Sequence, residues 1–210
     1  MVLPGFLDVY RTLPNKLLAA CRIATALLNP FEYFIKADDD TFLNLPAIIN
    51  AMPVSSKYDS APWWGQFRRE WPVAQTGKWA EFHYQGKRYA YAISCAILTQ
   101  VNHHYNIFNR YPTFACGGAY ALPLSLAQWL GTNADTLYSY QGEDVSLGIW
   151  LAALGPKLHD DARWQCFKTC EVRMLASPEH SPSEMRVLWK NQRECDNPCG
   201  CLKETSMRFI

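Results

Sequence analysis

Near the start of the chain Leu17, Leu18, Cys21, Thr25 and Leu28 recur at helical spacing behind Pro14, which a first turn tolerates, and Asn29-Pro30 stops the pattern. The spacing predicts a helix packed by one face. Phe31-Glu32-Tyr33-Phe34-Ile35-Lys36 then has the aromatic and β-branched content of a strand, and it runs into Asp38-Asp39-Asp40. Helix, strand and acids in that order predict an α/β arrangement, with the acids at the sheet edge where open α/β folds bind ligands. A second helix is expected from Leu45 to Met52, another aromatic strand from Trp63 to Arg68, and a short helix from Leu122 to Leu130. The stretch from Asp144 to Leu154 is apolar on most of its circumference and closed by Gly155-Pro156, which predicts a buried helix. Ser181-Pro182-Ser183-Glu184 reads as a capping box with proline at the first helical position, followed by Met185, Leu188 and Trp189 on one face. Residues 86–109 carry no clear period, and no repeats occur.

With 210 residues, 49% of them hydrophobic, the chain is long and apolar enough for one sizeable core, so a single globular domain over 1–210 is expected. The formal charge is only +1, with no long run of either sign, which argues against nucleic acid or an acidic membrane as partner. The longest apolar stretches are too short to cross a bilayer, and no leader is recognisable at the start. Of the eight cysteines, Cys116, Cys166, Cys170, Cys195, Cys199 and Cys201 lie in the last half, a usage that suits an oxidising lumen and predicts a stapled region over 160–210. The rival use is a zinc site with His180, but the x3 and x1 spacings match zinc knuckles poorly. Cys21 and Cys95 are expected to stay unpaired.

Candidate chemistry begins with the three aspartates. Continued strand alternation would send Asp38 and Asp40 to one side and Asp39 to the other, and paired carboxylates suit Mg2+ or Mn2+ carrying substrate phosphates. A solvated acidic turn is the plain alternative. Glu143-Asp144 opens the buried helix, where the helix dipole favours acids, but a carboxylate on a partly dry cleft wall also suits a general base. The residues alone leave those two readings even. Cys116-Gly117-Gly118-Ala119-Tyr120 allows either a plain turn or close approach of a ligand to the backbone. Trp63 and Trp64 offer one face to a sugar ring and one to the core if they alternate along a strand.

Taken together, the segments Phe34-Ile35-Lys36-Ala37-Asp38-Asp39-Asp40-Thr41-Phe42, Tyr111-Pro112-Thr113-Phe114-Ala115-Cys116-Gly117-Gly118-Ala119-Tyr120 and Gly142-Glu143-Asp144-Val145-Ser146-Leu147-Gly148 resemble the β-1,3-glycosyltransferases of glycosyltransferase family 31. The resemblance covers nearly the whole chain outside 86–109. It implies a GT-A fold, a divalent cation (Mn2+ or Mg2+), a UDP-sugar donor and a glycan or glycoprotein acceptor in the Golgi or endoplasmic reticulum lumen, and full-length relatives anchored in the membrane. The members it resembles most imply UDP-GalNAc as donor and a β-linked GlcNAc of O-mannosyl glycans as acceptor. Carried over by position, Asp40 would coordinate the cation, Asp38 and Asp39 would support metal and nucleotide together with Lys16, and Asp144 would be the base. Trp64, Gly65, Gly118 and Glu143 would meet the acceptor. Family members carry a further histidine ligand shortly before the proline-started helix. The aligned position lies near Pro178, so His180 is displaced from it and a surface histidine is the plain reading. The resemblance also implies that the first strands and helix of the usual fold, which hold the uridine, lie outside this chain, and that 86–109 is an irregular insertion with the look of translated intron.

Overall fold

A computed structural model describes residues 9–27, 31–53, 60–77, 79–81, 84 and 110–201. The irregular segment at 86–109, with Cys95, lies outside the described residues. The chain divides into two compact units, each built from discontinuous stretches: 1–34, 67–115 and 122–157 form the first, and 35–66, 116–121 and 158–210 the second.

The first unit is mainly helical. After a 3-10 turn at Tyr10–Thr12 come α1 (Leu13–Leu27), later α3 (Leu124–Asn133) and α4 (Glu143–Ala152). α1 buries Leu17, Leu18, Cys21 and Ala24, the face its spacing predicts, and packs against α3. The two helices touch at Gly131, where a Cβ would come within 2.8 Å of the Arg22 Cα, and Arg22 ties the crossing by donating to the Gly131 carbonyl at 3.0 Å and to Asp135 at 2.8 Å. Cys21 is a free, buried thiol that burial pushes up to about 12, so it behaves as a small core hydrophobe. β4 (Phe67–Arg68) and β5 (Phe114–Ala115) pair antiparallel, with Arg68 opposite Phe114. α4 lies so close to β5 that a Cβ at Gly148 would meet the Phe114 Cβ and the Thr113 carbonyl at 2.7 Å.

The second unit carries the sheet, in the order β1-β6-β3-β7. β3 (Trp63–Gly65) is antiparallel to β6 (Ala119–Pro123) and parallel to β7 (Leu158–Asp160). β1 spans Tyr33–Ala37. A small ribbon pairs β2 (Phe42–Leu43) with β8 (Ala176–Ser177), and α2 (Leu45–Ala51) and α5 (Pro182–Cys195) complete the unit. The capping box at α5 forms as the sequence predicts, with the Ser181 hydroxyl and the Glu184 side chain exchanging bonds with each other's backbone. Cys116–Cys166, Cys170–Cys199 and Cys195–Cys201 are disulfides, so all six late thiols are consumed and the zinc alternative falls.

Two expectations are corrected. The helix placed from Leu122 begins only at Leu124, because residues 119–123 form β6, all five of them buried. A strand covered on both faces shows no alternation, and that is why Ala119-Tyr120-Ala121-Leu122-Pro123 does not read as one. The strand expected from Trp63 to Arg68 is two strands separated at Gln66.

Candidate active site

In the second unit β1 ends at Ala37, one residue before the acids, and Asp38 to Asp40 form a turn in which the Thr41 amide returns to the Asp38 carbonyl at 3.2 Å. Strand alternation therefore does not sort these side chains, which corrects the expectation for Asp38 and Asp40. Asp38 pairs with Lys36 at 2.7 Å, and Lys36 also donates to the Gly117 carbonyl and lies 5.7 Å over the Tyr120 ring. Asp39 and Asp40 are exposed and line an open pocket of about 350 Å³ together with His180, Pro182 and Met185.

The β2–β8 pairing, with Phe42 opposite Ser177, is what brings residues 178–180 to this turn. Gly118 permits the approach, since a Cβ there would stand 2.9 Å from the Pro178 ring. His180 is only 7% exposed and is no surface histidine. Its amide donates to the Asp40 carbonyl at 2.9 Å and its Nε2 meets the Ser177 hydroxyl at 2.9 Å, while Nδ1 is buried with no hydrogen-bond partner among the described residues. Burial first, and then the nearby Lys168 charge, hold its pKa below the ordinary histidine value. Among the described residues no group of three or more His, Cys, Asp or Glu side chains is already disposed to hold a metal ion.

The first unit holds Asp144. It is half-buried in the first turn of α4, and its Oδ1 accepts the Val145 amide at 2.8 Å. Gly142 leaves it room, since a Cβ there would lie 2.9 Å from that oxygen. The approach to the helix is clamped at two points. Ser146 donates to the Gly142 carbonyl at 2.6 Å and accepts the Tyr140 amide at 3.0 Å. Glu81, a buried carboxylate, accepts the Gln141 amide at 2.5 Å and the Tyr111 hydroxyl at 2.7 Å. Burial, reinforced by the Glu81 bond, pushes the Tyr111 hydroxyl well above the ordinary tyrosine range, so it stays a proton donor. Arg68 stacks 4.3 Å over Trp71, and burial lowers its pKa against the opposing pull of Asp144, which marks it as a charge neighbour of the base candidate.

Other expected site residues fall elsewhere. Lys16 is half-buried on α1 of the first unit, and Glu143 is buried at the start of α4. Trp64 is fully buried, donates its Nε1 to Asp161 at 3.0 Å and packs edge-on against Trp164 at 5.0 Å. Its ring is core and not a platform for a sugar, and Gly65 beside it is buried. For Asp161, burial opposes ionisation, but the bonds from Arg163 and Trp64 outweigh it and hold the carboxyl below its usual range. Glu81, Ser146 and Ser177 escaped the sequence reading. Ser146 alone left a local signal, a hydroxyl one helical turn after Gly142 in a stretch otherwise apolar.

The galactosyltransferase family model matches residues 1–162. The UDP-GalNAc:β-1,3-N-acetylgalactosaminyltransferase 2 of Xenopus laevis is 37% identical over 201 residues, covering 96% of this chain and 37% of that protein. The human protein of the same name is 39% identical over 96% of this chain and 36% of its own length. Mouse β-1,3-galactosyltransferase 6 is 28% identical over the whole of this chain and 58% of its own. The chain thus spans little more than a third of the length of the N-acetylgalactosaminyltransferases it matches. Its α/β composition with a mixed sheet is the GT-A-like architecture the sequence implies, and the chain belongs to the galactosyltransferase family.

Proposed function

We propose that this chain carries the catalytic chemistry of an inverting β-1,3-glycosyltransferase that moves GalNAc from UDP-GalNAc to the 3-hydroxyl of a β-linked GlcNAc on a glycoprotein glycan. The names of its relatives support the linkage and the donor. The observation that carries the reading is the pocket lined by Asp39, Asp40 and His180, together with the buried His180 Nδ1 that has no hydrogen-bond partner among the described residues. That donor set fits a hard divalent cation, Mn2+ or Mg2+, which needs few protein ligands because nucleotide phosphates and water supply the rest. Asp40, His180 and one of Asp38 or Asp39 would hold it, and when bound it would neutralise the charge on the departing diphosphate.

In this reading Asp144 takes the proton of the acceptor 3-hydroxyl. The oxygen attacks the anomeric carbon from the face opposite UDP, the bond from that carbon to the phosphate oxygen breaks, and UDP leaves with the electron pair. One displacement converts an α-linked donor into a β linkage. Ser146 and Glu81 hold the backbone ahead of Asp144, and Arg68 is its charge neighbour. The three disulfides suit the lumen of the Golgi or endoplasmic reticulum. Among the described residues no helix is long and apolar enough to cross a membrane.

The test is transfer from UDP-GalNAc, UDP-GlcNAc and UDP-Gal to a β-GlcNAc acceptor with Mn2+. Transfer of GalNAc in excess of the other two is expected; preference for UDP-Gal would overturn the donor assignment. A second reading, a glycosyltransferase-like protein that binds without turnover, is favoured by the lack of a ready three-ligand cluster among the described residues. It predicts thermal stabilisation by UDP and Mn2+ with no transfer.

A further inference from the structure

The Ser177 hydroxyl sits among three polar groups. Its Oγ lies 2.6 Å from the Thr169 carbonyl oxygen, 3.2 Å from the Thr169 amide nitrogen and 2.9 Å from His180 Nε2. A serine has one proton to give. A carbonyl can only accept, and the shortest of the three contacts is to it, so the proton goes there. The Thr169 amide can only donate. The remaining contact is then satisfied only if Nε2 of His180 carries a proton and donates it to Ser177. In a neutral imidazole the other nitrogen, Nδ1, is left with its lone pair. Nδ1 is the atom found buried and without a hydrogen-bond partner among the described residues, on a residue that lines the pocket with Asp39 and Asp40.

We propose that Ser177 is a positioning residue that locks His180 in the Nε2–H tautomer and so keeps Nδ1 as a lone-pair donor toward a divalent cation at Asp39 and Asp40. The cation half rests on the metal-dependent reading above; the tautomer does not. The mounting is rigid on both sides. Ser177 is paired with Phe42 across the β2–β8 ribbon. Thr169, which takes the serine proton, directly precedes Cys170 of the Cys170–Cys199 disulfide and follows Cys166 of the Cys116–Cys166 disulfide by three residues. Metal-binding histidines generally donate their second ring N–H to a partner that fixes the tautomer, and loss of that partner weakens metal binding about 10- to 100-fold.

Long-range 1H–15N correlation on metal-free protein with 15N-labelled histidine reads the tautomer directly. The wild type should show His180 protonated at Nε2, Ser177→Ala a mixture of tautomers, and Ser177→Thr, which keeps the hydroxyl, the wild-type pattern. Calorimetric titration with Mn2+ in the presence of UDP should then show about a 10- to 100-fold weaker affinity for Ser177→Ala and recovery in Ser177→Thr. A wild-type ring protonated at Nδ1 would overturn the assignment, and that measurement needs no variant to fold. Unchanged Mn2+ affinity in a Ser177→Ala protein of mixed tautomer would overturn the role toward the cation. Wild-type protein that shows the Nε2–H ring but takes up no Mn2+ would instead bring down the metal-dependent reading, and with it the cation half, while the tautomer assignment holds.

Discussion

The loop before Asp144 in the first unit and the pocket beside Asp40 in the second are built to opposite standards of completeness. Around Asp144 the hydrogen-bonding capacity is used up locally: both oxygens of Glu81, the Ser146 hydroxyl, the Tyr140 and Gln141 amides and Oδ1 of Asp144 itself all have partners. In the second unit Oγ1 of Thr41, Nδ1 of His180, Nε1 of Trp164, both polar ends of Gln165 and Oε1 of Gln192 are buried without one among the described residues. Each such group costs about 1–3 kcal/mol, and folds retain them where water or a ligand completes the set. Under the proposed reading the base candidate is therefore held by the protein alone, while the second unit, with His180 at the pocket, keeps buried polar groups that a ligand or water could complete. Changes at the first should act on turnover, and changes at the second on binding.

The largest effect expected from this contrast is that of Asp144→Asn. Removal of a general base should lower transfer by about 10²- to 10⁴-fold, with UDP and Mn2+ binding by calorimetry left as in the wild type. Normal turnover would remove Asp144 from the mechanism, and loss of Mn2+ affinity would show that the two regions are not separate in function.

Glu81→Ala should come next. It strips the acceptor from the buried Tyr111 hydroxyl and from the Gln141 amide, leaving two donors unsatisfied at roughly 1–3 kcal/mol each. Urea denaturation should register a loss of about 3 kcal/mol, and turnover should fall while Mn2+ affinity holds. A variant as stable as wild type would mean that this loop is not fixed by Glu81.

Glu81 also shows how far the sequence was legible. What could be read was local: the Ser181 box with its proline, the face of α1, the apolar circumference of α4 and the acids following an aromatic strand all involve residues within a few positions of one another. What could not be read depends on partners brought in by the fold. Glu81 finds Tyr111 across 30 residues and Gln141 across 60. His180 is buried where the β2–β8 pairing brings it to the Asp38–Asp40 turn. The resemblance puts Trp64 at the acceptor and alternation would leave one of two adjacent tryptophans outside, but the strand is covered on both sides and both rings are core. Alternation failed at Asp38 to Asp40 for a simpler reason, since the strand stops at Ala37.

Ligand addition tests the unfinished half directly. UDP with Mn2+ at a hundred times the dissociation constant should stabilise the protein by about 2.7 kcal/mol. The accompanying slowing of amide exchange should concentrate at Thr41, Gln165 and His180, and leave Tyr140 to Ser146 close to their unliganded rates. Equal protection in both regions would erase the distinction between a finished and an unfinished site.

The smallest effect is set by acid. Glu184 accepts Lys168 at 2.6 Å and the Ser181 amide at 2.8 Å, and these bonds, Lys168 first, hold its carboxyl down at about 2 from an ordinary 4.5. A depressed carboxylate contributes stability that is fully present above the unfolded value and is lost as pH falls through the folded one, so the contribution fades from about pH 4.5 down through about 2. The pair is solvent-exposed and screened by salt, which keeps the change small. What matters is where it acts. Ser181 follows His180, whose amide is tied to the Asp40 carbonyl, so loosening the α5 cap should speed exchange at His180 and Glu184 before it reaches Gln141. Because other carboxylates titrate in the same window, the quantity to measure is the difference between wild type and Glu184→Gln, in low salt. That difference should vanish near pH 2, grow toward pH 5 and be confined to the second unit; the same pH dependence in both proteins would mean the cap contributes nothing to holding His180 at the pocket.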